Sequence, residues 1–151
     1  MRYFATLGLC CALLSTVLVV SVVVPASRAE ALPAYDDDAS GQAVVEQSRS
    51  WIGTPYGAYG VDCSGFTSMV FAHFGVYLPD NPAAQYYYGV PSTGKAGDLA
   101  FFDEDGYGIS HVGIATGYGT VIHSSTYYYG AVVESPIYAI PGYVGARDVM
   151  Y

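Results

Sequence analysis

Positive charge is scarce in this sequence. Its 151 residues include 5 lysines and arginines against 13 aspartates and glutamates, a formal net charge of −8. Nucleic acids and anionic membrane surfaces are bound through basic patches, because their negative charge repels acidic groups. We therefore expect neither nucleic acid nor an anionic lipid surface as a partner.

Cysteine is scarce as well, with 3 in the chain. Cys10 and Cys11 lie in an apolar N-terminal stretch, so Cys63 would be the only thiol left if that stretch were removed. Small exported domains that depend on disulfides carry paired cysteines. A disulfide-stabilised scaffold is therefore excluded for the mature chain, and the unpaired Cys63 needs a chemical explanation.

The N-terminal stretch has the layout of a secretory signal. Arg2 precedes an uncharged run over residues 3–24, and small residues follow up to Ala29. A basic start, an apolar core and small residues before the cut are typical of a signal peptide, which we predict over residues 1–29. The run is also long enough to cross a bilayer, so an uncleaved membrane anchor is the alternative.

One small domain is expected after this leader. Residues 30–40 contain an acidic run and no apolar periodicity, which predicts an acidic flexible tether. Residues 41–151 are the predicted domain. Because Arg2 and Arg28 leave with the leader, 3 basic residues face all 13 acidic ones, a net charge of −10.

Two helices are predicted in the first half of the domain. Apolar residues at helical spacing predict a short helix over residues 43–50, with Ser40 as its cap. After a glycine-rich loop, a second apolar stripe predicts a helix that Asp62 caps and Gly75 ends. Cys63 would then lie in the first turn of the second helix.

Short strands are predicted beyond Pro79. Gly117-Tyr118 would turn a hairpin between two of them, and no long helix intervenes, so an antiparallel sheet is expected. With that turn, residues whose numbers add up to about 235 would lie opposite each other. His111 would then pair near Ser124, and His123 near Val112. The predicted strands cover residues 98–102, 111–116, 119–123, 132–135 and 143–148.

The histidines supply candidates for activating Cys63. A thiol attacks as the thiolate, so a nucleophilic cysteine needs a base beside it. His73 would lie at the far end of the same helix, roughly 15 Å from the thiol at the helical rise per residue. His111 and His123 would meet at one end of the hairpin. Their placement predicts Cys63 as nucleophile, His111 as base and His123 as the group that orients the base.

The residue types alone leave other interpretations open. A small cysteine in the core and two ordinary strand histidines would be indistinguishable from a catalytic site at the level of residue types. A zinc site is less favoured, because one cysteine and two separated histidines lack a ligand-pair spacing, and we expect no metal. The 16 tyrosines, bunched at residues 86–88 and 127–129, suit either half-buried strand positions or glycan contacts.

Six short motifs follow one another through the domain, from about residue 43 to residue 151. They are Gly53-Thr54-Pro55-Tyr56, Asp62-Cys63-Ser64-Gly65-Phe66, Leu78-Pro79 with Gln85, Gly97-Asp98-Leu99-Ala100-Phe101-Phe102, His111-Val112-Gly113-Ile114 and Val121-Ile122-His123. This ordered set resembles the NlpC family of cell-wall cysteine peptidases. The resemblance implies an α+β, papain-like fold, in which the helix of the catalytic cysteine packs on a central antiparallel sheet of about five strands.

The resemblance also implies an activity. Members of this family hydrolyse amide bonds in peptidoglycan stem peptides, typically between γ-D-glutamate and a diamino acid, without a cofactor. It supports a catalytic triad and implies substrate-binding roles for three further residues. The triad is Cys63, His111 and His123, and the substrate-binding residues are Tyr56, Asp62 and Ser64.

The expected protein is a secreted or cell-envelope-associated monomer that contacts a membrane only if its N-terminal segment is uncleaved. Two alternatives differ in activity: an acyltransferase or amidase of the same fold acting on a different acyl group, and a non-catalytic cell-wall-binding module. Two departures from the family leave substrate specificity open. The loop before Asp62 is short, with residues 57–61 between the flanking motifs, and Asp80-Asn81-Pro82 replaces a sequence that usually carries a positive charge.

Overall fold

The computed structural model describes residues 37–126 and 130–151 of the chain. The predicted signal peptide, most of the predicted tether and the tyrosines at 127–129 lie outside the described residues. None of the helices in the described ranges has the length and apolar character needed to cross a membrane. The helices are α1 (Asp37–Arg49), α2 (Cys63–Ala72) and α3 (Pro82–Gln85), with 3₁₀ turns at Ala58–Gly60 and Ile137–Ala139.

The strands form one antiparallel sheet, in the order β1-β6-β2-β3-β4-β5. They are β1 (Val90–Ser92), β2 (Leu99–Phe102), β3 (His111–Ala115), β4 (Thr120–Ser125), β5 (Ala131–Pro136) and β6 (Tyr143–Asp148). The antiparallel α+β prediction is confirmed, with six strands where about five were expected. The additional strand, β1, contains Pro91, which cannot donate a ladder hydrogen bond and is tolerated because β1 lies at the sheet edge.

The two faces of the sheet bury different apolar clusters. Leu99 and Phe101 pack with the helices, whereas Ala100 and Phe102 belong to a second cluster. All four of these β2 side chains are fully buried, which is why this strand reads as a continuous apolar run instead of an alternating one. Helices α1 and α2 cover the first cluster by packing against β3 and β4.

Helix α1 begins earlier than the sequence predicts. It starts at Asp37, so Ser40 lies inside the helix and does not cap it. The acidic run hides this start, because its residues lack the apolar periodicity from which a helix is recognised. Helix α1 then passes close to the turn before β2, where a Cβ on Gly41 would overlap the carbonyl oxygen of Ala96.

Helix α2 has the predicted caps. Asp62 precedes it with extended backbone angles, and the Gly65 N–H donates to Asp62 Oδ1 at 2.7 Å. The helix ends at Ala72, and Gly75 follows with a φ of 78° in the left-handed region, as expected for a glycine that closes a helix. Cys63 is the first helical residue.

The β3–β4 hairpin differs from the prediction by one residue. Ile114 lies opposite Ile122, and the Thr116 N–H donates to the Thr120 carbonyl at 3.0 Å across a loop of three residues, 117–119. The loop is one residue longer than the predicted turn, since Gly119 is a second left-handed glycine with a φ of 78°. The shift matters because it pairs odd with odd numbers, which places His111 and His123 on the same face of the sheet.

Candidate active site

Cys63 opens onto a small polar cavity at the start of α2. The thiol residue is 8% exposed, and the cavity has a volume of about 90 Å³. Hydroxyls, one imidazole and one carboxylate surround the cysteine. The lining residues are Tyr56, Cys63, Glu104, Ser110, His111, Ser124, Ser125 and Thr126. The structure therefore brings Cys63 and His111 to the same cavity.

A chain of hydrogen bonds runs from His111 away from the cavity. His111 Nε2 lies 2.8 Å from His123 Nδ1, and His123 Nε2 lies 3.2 Å from Ser135 Oγ. All three residues are buried, with exposed fractions of 6%, 1% and 6%. Because its Nε2 is occupied by His123, His111 has only Nδ1 available for the thiol.

One residue of β3 makes this contact possible. Gly113 lies beside His123 across the hairpin, and a Cβ on Gly113 would approach the Cβ of His123 to 2.8 Å and overlap the side chain of Val121. The absence of a side chain lets β4 approach closely enough for its histidine to reach His111. This explains the glycine of the His-Val-Gly-Ile motif.

Contacts to the sheet and to neighbouring loops hold the start of α2 at this end. Ser124 Oγ donates to the Val61 carbonyl at 2.8 Å, directly before the cap residue. A Cβ on Gly65 would overlap the carbonyl oxygen of Gly60, so the glycine of the Asp-Cys-Ser-Gly motif lets the loop pass against the helix. The cysteine is therefore positioned by β4 on one side and by the short loop on the other.

Burial favours the neutral forms of Cys63, His111 and His123. It raises the pKa of the Cys63 thiol to about 11, with a further contribution from the Asp62 carboxylate, although backbone groups of Val112, Ser64 and Cys63 itself oppose the shift. Burial lowers the pKa of His111 to about 3, aided by His123, and lowers that of His123 to about 4. At neutral pH these shifts favour a thiol and a neutral imidazole over an ion pair.

Ser64 is not among the residues that line the cavity of Cys63. Its hydroxyl donates to Asp80 Oδ1 at 2.8 Å and lies 3.3 Å from Asp62 Oδ1, and the residue is 3% exposed. The Ser64 carbonyl accepts from Gln85 Nε2 at 3.0 Å. The same amide donates to the Pro79 carbonyl at 2.8 Å, so Gln85 ties the Leu-Pro motif to α2. The hydrogen bonds of Ser64 thus hold the start of α2 in place, and the residue does not line the cavity of Cys63.

Tyr56 and Glu104 form part of the cavity wall on two different loops. The Tyr56 N–H donates to the Gly130 carbonyl at 2.6 Å, which fastens its loop to the start of β5. Burial raises the pKa of Tyr56, and the charges of Cys63, Asp62 and Glu104 add to the effect. Glu104 follows β2, and burial together with Asp105 raises its pKa. Tyr56 was among the predicted site residues, whereas Glu104 was not.

Several residues of this site could not be recognised from the sequence. Glu104, Ser110, Ser125, Thr126 and Ser135 belong to loops and strand positions with no recognisable catalytic spacing. His73, by contrast, caps the C-terminal end of α2 and packs edge-on against Phe74, with ring centroids 5.4 Å apart. Within the described ranges, no group of three or more metal-ligating side chains is placed to hold a metal ion.

The profile of the NlpC/P60 family matches residues 47–140, a segment that runs from the end of α1 to the residue before Pro141 and contains the whole cavity. The chain belongs to the NlpC/P60 family. The membership also confirms the predicted papain-like arrangement, with the cysteine helix packed on an antiparallel sheet.

Individual NlpC/P60 relatives agree with this assignment. A "Probable endopeptidase" of Corynebacterium glutamicum strain R is 43% identical over 108 residues, which cover 66% of this chain and 48% of that protein. The gamma-D-glutamyl-L-lysine dipeptidyl-peptidase of Bacillus subtilis strain 168 is 34% identical over 107 residues, 64% of this chain and 36% of that protein. The chain therefore spans about half the length, or less, of these two relatives.

A solved NlpC/P60 structure has the same fold. The crystal structure of the NlpC/p60 domain of the peptidoglycan hydrolase SagA matches with a TM-score of 0.62 at 31% identity. The match covers 72% of this chain and 97% of that domain. The described part of the chain thus corresponds to a complete domain of this family.

Proposed function

We propose that this protein is an exported cysteine peptidase that hydrolyses amide bonds in peptidoglycan stem peptides. The observation that carries the proposal is the shared cavity of Cys63 and His111, in which the distal nitrogen of His111 is held 2.8 Å from His123. A thiol at a helix start, a base beside it and a polar group behind the base are the parts of a nucleophilic centre.

The reaction begins with a neutral thiol. As Cys63 Sγ attacks the scissile carbonyl, its proton passes to His111 Nδ1, because the raised thiol pKa and the lowered imidazole pKa keep the proton on sulfur until attack. The developing oxyanion is stabilised by the backbone N–H of Cys63 at the start of α2, where helix N–H groups lack internal partners. His111 then protonates the leaving nitrogen as the C–N bond breaks, and a thioester remains.

The second half of the cycle releases the acid. Water attacks the thioester carbonyl while His111 Nδ1 takes one of its protons. The C–S bond breaks, and the sulfur recovers its proton from His111. Throughout the cycle, His123 Nδ1 accepts from the Nε2–H of His111, which keeps Nδ1 of His111 free to receive the thiol proton and stabilises the imidazolium.

We assign the target bond to the link between γ-D-glutamate and a diamino acid. The Bacillus subtilis relative is named for a γ-D-glutamyl-L-lysine bond, and the family resemblance of the motifs points the same way. Tyr56 and Asp62 are the proposed contacts for a free amine of the stem peptide. Ser64 acts on this subsite through Asp62, since its hydroxyl lies between the Asp62 and Asp80 carboxylates.

The proposed location follows from the substrate. Peptidoglycan lies outside the cytoplasmic membrane, so the protein must be secreted or associated with the cell envelope to reach it. The N-terminal signal predicted over residues 1–29 would supply the export. We propose a monomer that needs no cofactor for this chemistry, with stem peptides as its partner.

A muropeptide digest read by mass spectrometry tests the activity, the bond and the substrate together. The wild-type protein is expected to release fragments cut after γ-D-glutamate, and Cys63→Ala is expected to abolish them while its melting temperature stays close to that of the wild type. His111→Ala should have the same effect. His73→Ala is the matched control, because this histidine lies at the far end of α2, and it should digest like the wild type.

Other outcomes of the digest would select the alternatives. Products that carry a transferred acyl group, without hydrolysis, would assign the site to an acyltransferase. Wall fragments bound but left intact by the wild-type protein would assign a binding module.

A further inference from the structure

Three consecutive acidic residues follow β2, and only the middle one has a free carboxylate. Asp103 Oδ1 accepts from the Gly106 N–H at 2.7 Å, and Asp105 Oδ1 accepts from the Tyr107 N–H at 3.1 Å. Both outer carboxylates thus form the turn. The Glu104 carboxylate has no hydrogen-bond or ion-pair partner among the described residues and lines the cavity of Cys63 instead.

The backbone of this loop fixes Glu104 beside the base. The Glu104 N–H donates to Ser110 Oγ at 3.0 Å, and the Ser110 N–H donates to the Phe102 carbonyl at 3.0 Å. Ser110 directly precedes His111. The carboxylate of Glu104 is therefore presented by a closed loop whose last residue adjoins the catalytic imidazole.

No cation in residues 37–126 or 130–151 compensates this charge. Arg49 is paired with Glu134 at 3.1 Å, Arg147 lies over the Tyr86 ring at 4.2 Å, and Lys95 lies near Asp98. These are the only basic residues in the described ranges, and none of them lines the cavity. A partly buried carboxylate without a counter-charge favours a ligand that brings a positive charge of its own.

The position of Glu104 indicates which part of the substrate brings that charge. His111 must lie beside the leaving nitrogen in order to protonate it. The residue that carries this nitrogen therefore lies against the loop that ends at His111, which is the loop of Glu104. In the proposed reaction, that residue is the diamino acid.

We propose that Glu104, with the cavity hydroxyls, forms a subsite for the primary ammonium group on the side chain of the diamino residue. The inference rests on the proposed function and adds a chemical requirement to it. A free ammonium is bound, whereas an acylated amine loses both its charge and two of its three donors. The enzyme would therefore select stem peptides whose side-chain amine is not yet joined to another peptide.

Two synthetic peptides test this requirement. They are L-alanyl-γ-D-glutamyl-L-lysine and the same peptide acetylated at the lysine Nε, which share a free N-terminus. We expect wild-type kcat/KM to favour the free amine by about tenfold, the effect of one hydrogen bond to a charged group. Glu104→Gln should bring the ratio close to one. Asp105→Asn is the matched control, because asparagine keeps the acceptor that closes the turn, and it should retain the preference.

Binding provides a readout that does not depend on hydrolysis. Calorimetry with the Cys63→Ala protein should show the same preference for the free amine, and adding Glu104→Gln should remove it. Preference in binding without cleavage by the active protein would overturn the proposed bond and leave the ammonium subsite standing. Equal binding of the two peptides, no binding of either, or a preference that survives Glu104→Gln would overturn the subsite itself.

Discussion

At the scale of single residues, the direction of the hydrogen bonds behind Cys63 decides whether His111 can act as a base. If Ser135 accepts from His123 Nε2–H, His123 Nδ1 accepts from His111, and His111 Nδ1 is left bare for the thiol proton. If Ser135 donates instead, the direction of both hydrogen bonds reverses, and His111 presents an N–H to the thiol. The direction of the 3.2 Å hydrogen bond between His123 Nε2 and Ser135 Oγ thus decides which tautomer His111 adopts.

Ser135→Ala is expected to lower kcat about tenfold with little change in KM, since one neutral hydrogen bond that selects the productive tautomer is lost. Ser135→Thr keeps the hydroxyl and should restore most of the rate. Nitrogen NMR of the imidazoles should show a mixture of tautomers in the alanine variant and one tautomer in the wild type. Ser50→Ala, which removes an exposed hydroxyl at the end of α1, is the control. Full kcat in Ser135→Ala would show that His123 needs no support from this serine.

Residue types and spacing predict Cys63, His111 and His123 as a triad, because a thiol at a helix start and two histidines at one end of a hairpin are visible in the sequence. The structure places His111 at the cavity of Cys63 and 2.8 Å from His123, and the catalytic roles of the three residues stay a prediction. Ser135 and Glu104 were not predictable in this way. A serine on an edge strand and one acid of three carry no distinguishing pattern. Their proposed roles rest on the structure, which shows which polar groups already have hydrogen-bond partners in the turns and the sheet.

At the scale of the elements, the start of α2 is set by a close approach of two backbones. Gly65 lies in the first turn, and the carbonyl oxygen of Gly60 occupies the space in which its side chain would lie. Gly75 lies beyond the other end of the same helix, where a Cβ would meet nothing within 4 Å but the φ of 78° disfavours a side chain. A side chain at Gly65 would clash with the backbone, whereas a side chain at Gly75 would only strain the backbone conformation.

Gly65→Ala is expected to destabilise the protein by about 2 kcal/mol or more and to reduce kcat of the folded fraction, because the loop or the helix must move and Cys63 moves with it. Gly75→Ala should cost about 1 kcal/mol, the strain of a left-handed alanine, and leave kcat intact. Urea unfolding and turnover measured on the same samples test both effects. A Gly65→Ala protein with wild-type turnover would show that Cys63 does not depend on this contact.

Element type was more predictable than element boundary. Asp62 and Gly75 predicted both ends of α2, because a helix cap can be recognised from a single residue. The predicted register of the hairpin was wrong by one. Gly117-Tyr118 alone would form a two-residue turn, but Gly119 extends the loop to three residues. Strand β1 escaped prediction because its pairing with β6 joins positions far apart in the chain, and Pro91 reads as a break.

At the scale of the whole molecule, the buried histidine pair links the proposed catalytic site to acid stability. In the unfolded chain, histidine titrates near pH 6.5, whereas the pKa values of His111 and His123 in the fold lie at about 3 and about 4. Between these limits the unfolded chain binds protons that the folded chain does not. The contribution of these two histidines to the free energy of unfolding is therefore fully present above pH 6.5. It is lost as the pH is lowered toward the folded pKa values.

The carboxylates act mainly at lower pH. Burial raises the pKa of Asp98, so this group opposes acid unfolding, while Arg49 lowers the pKa of Glu134, so this group adds to it. Most carboxyl groups of an unfolded chain titrate near pH 4. The interval from about pH 6 to about pH 5 consequently reports chiefly on the histidines.

Within that interval, we expect the free energy of unfolding of the wild-type protein to fall by about 2 to 3 kcal/mol per pH unit, since each histidine excluded from protonation contributes up to about 1.4 kcal/mol. His123→Asn should reduce this slope by about half, whatever its effect on stability at neutral pH. Denaturant titrations at closely spaced pH values measure the slope directly.

The exposed histidine is the control for this slope. His73→Asn removes a histidine from the surface end of α2, and the slope of this variant should match that of the wild type. An unchanged slope in His123→Asn would mean that the folded protein protonates His123 as readily as the unfolded chain does. In that case burial would not hold this ring neutral below pH 6.5, and the proposed cycle would lose the neutral His123 that accepts from His111.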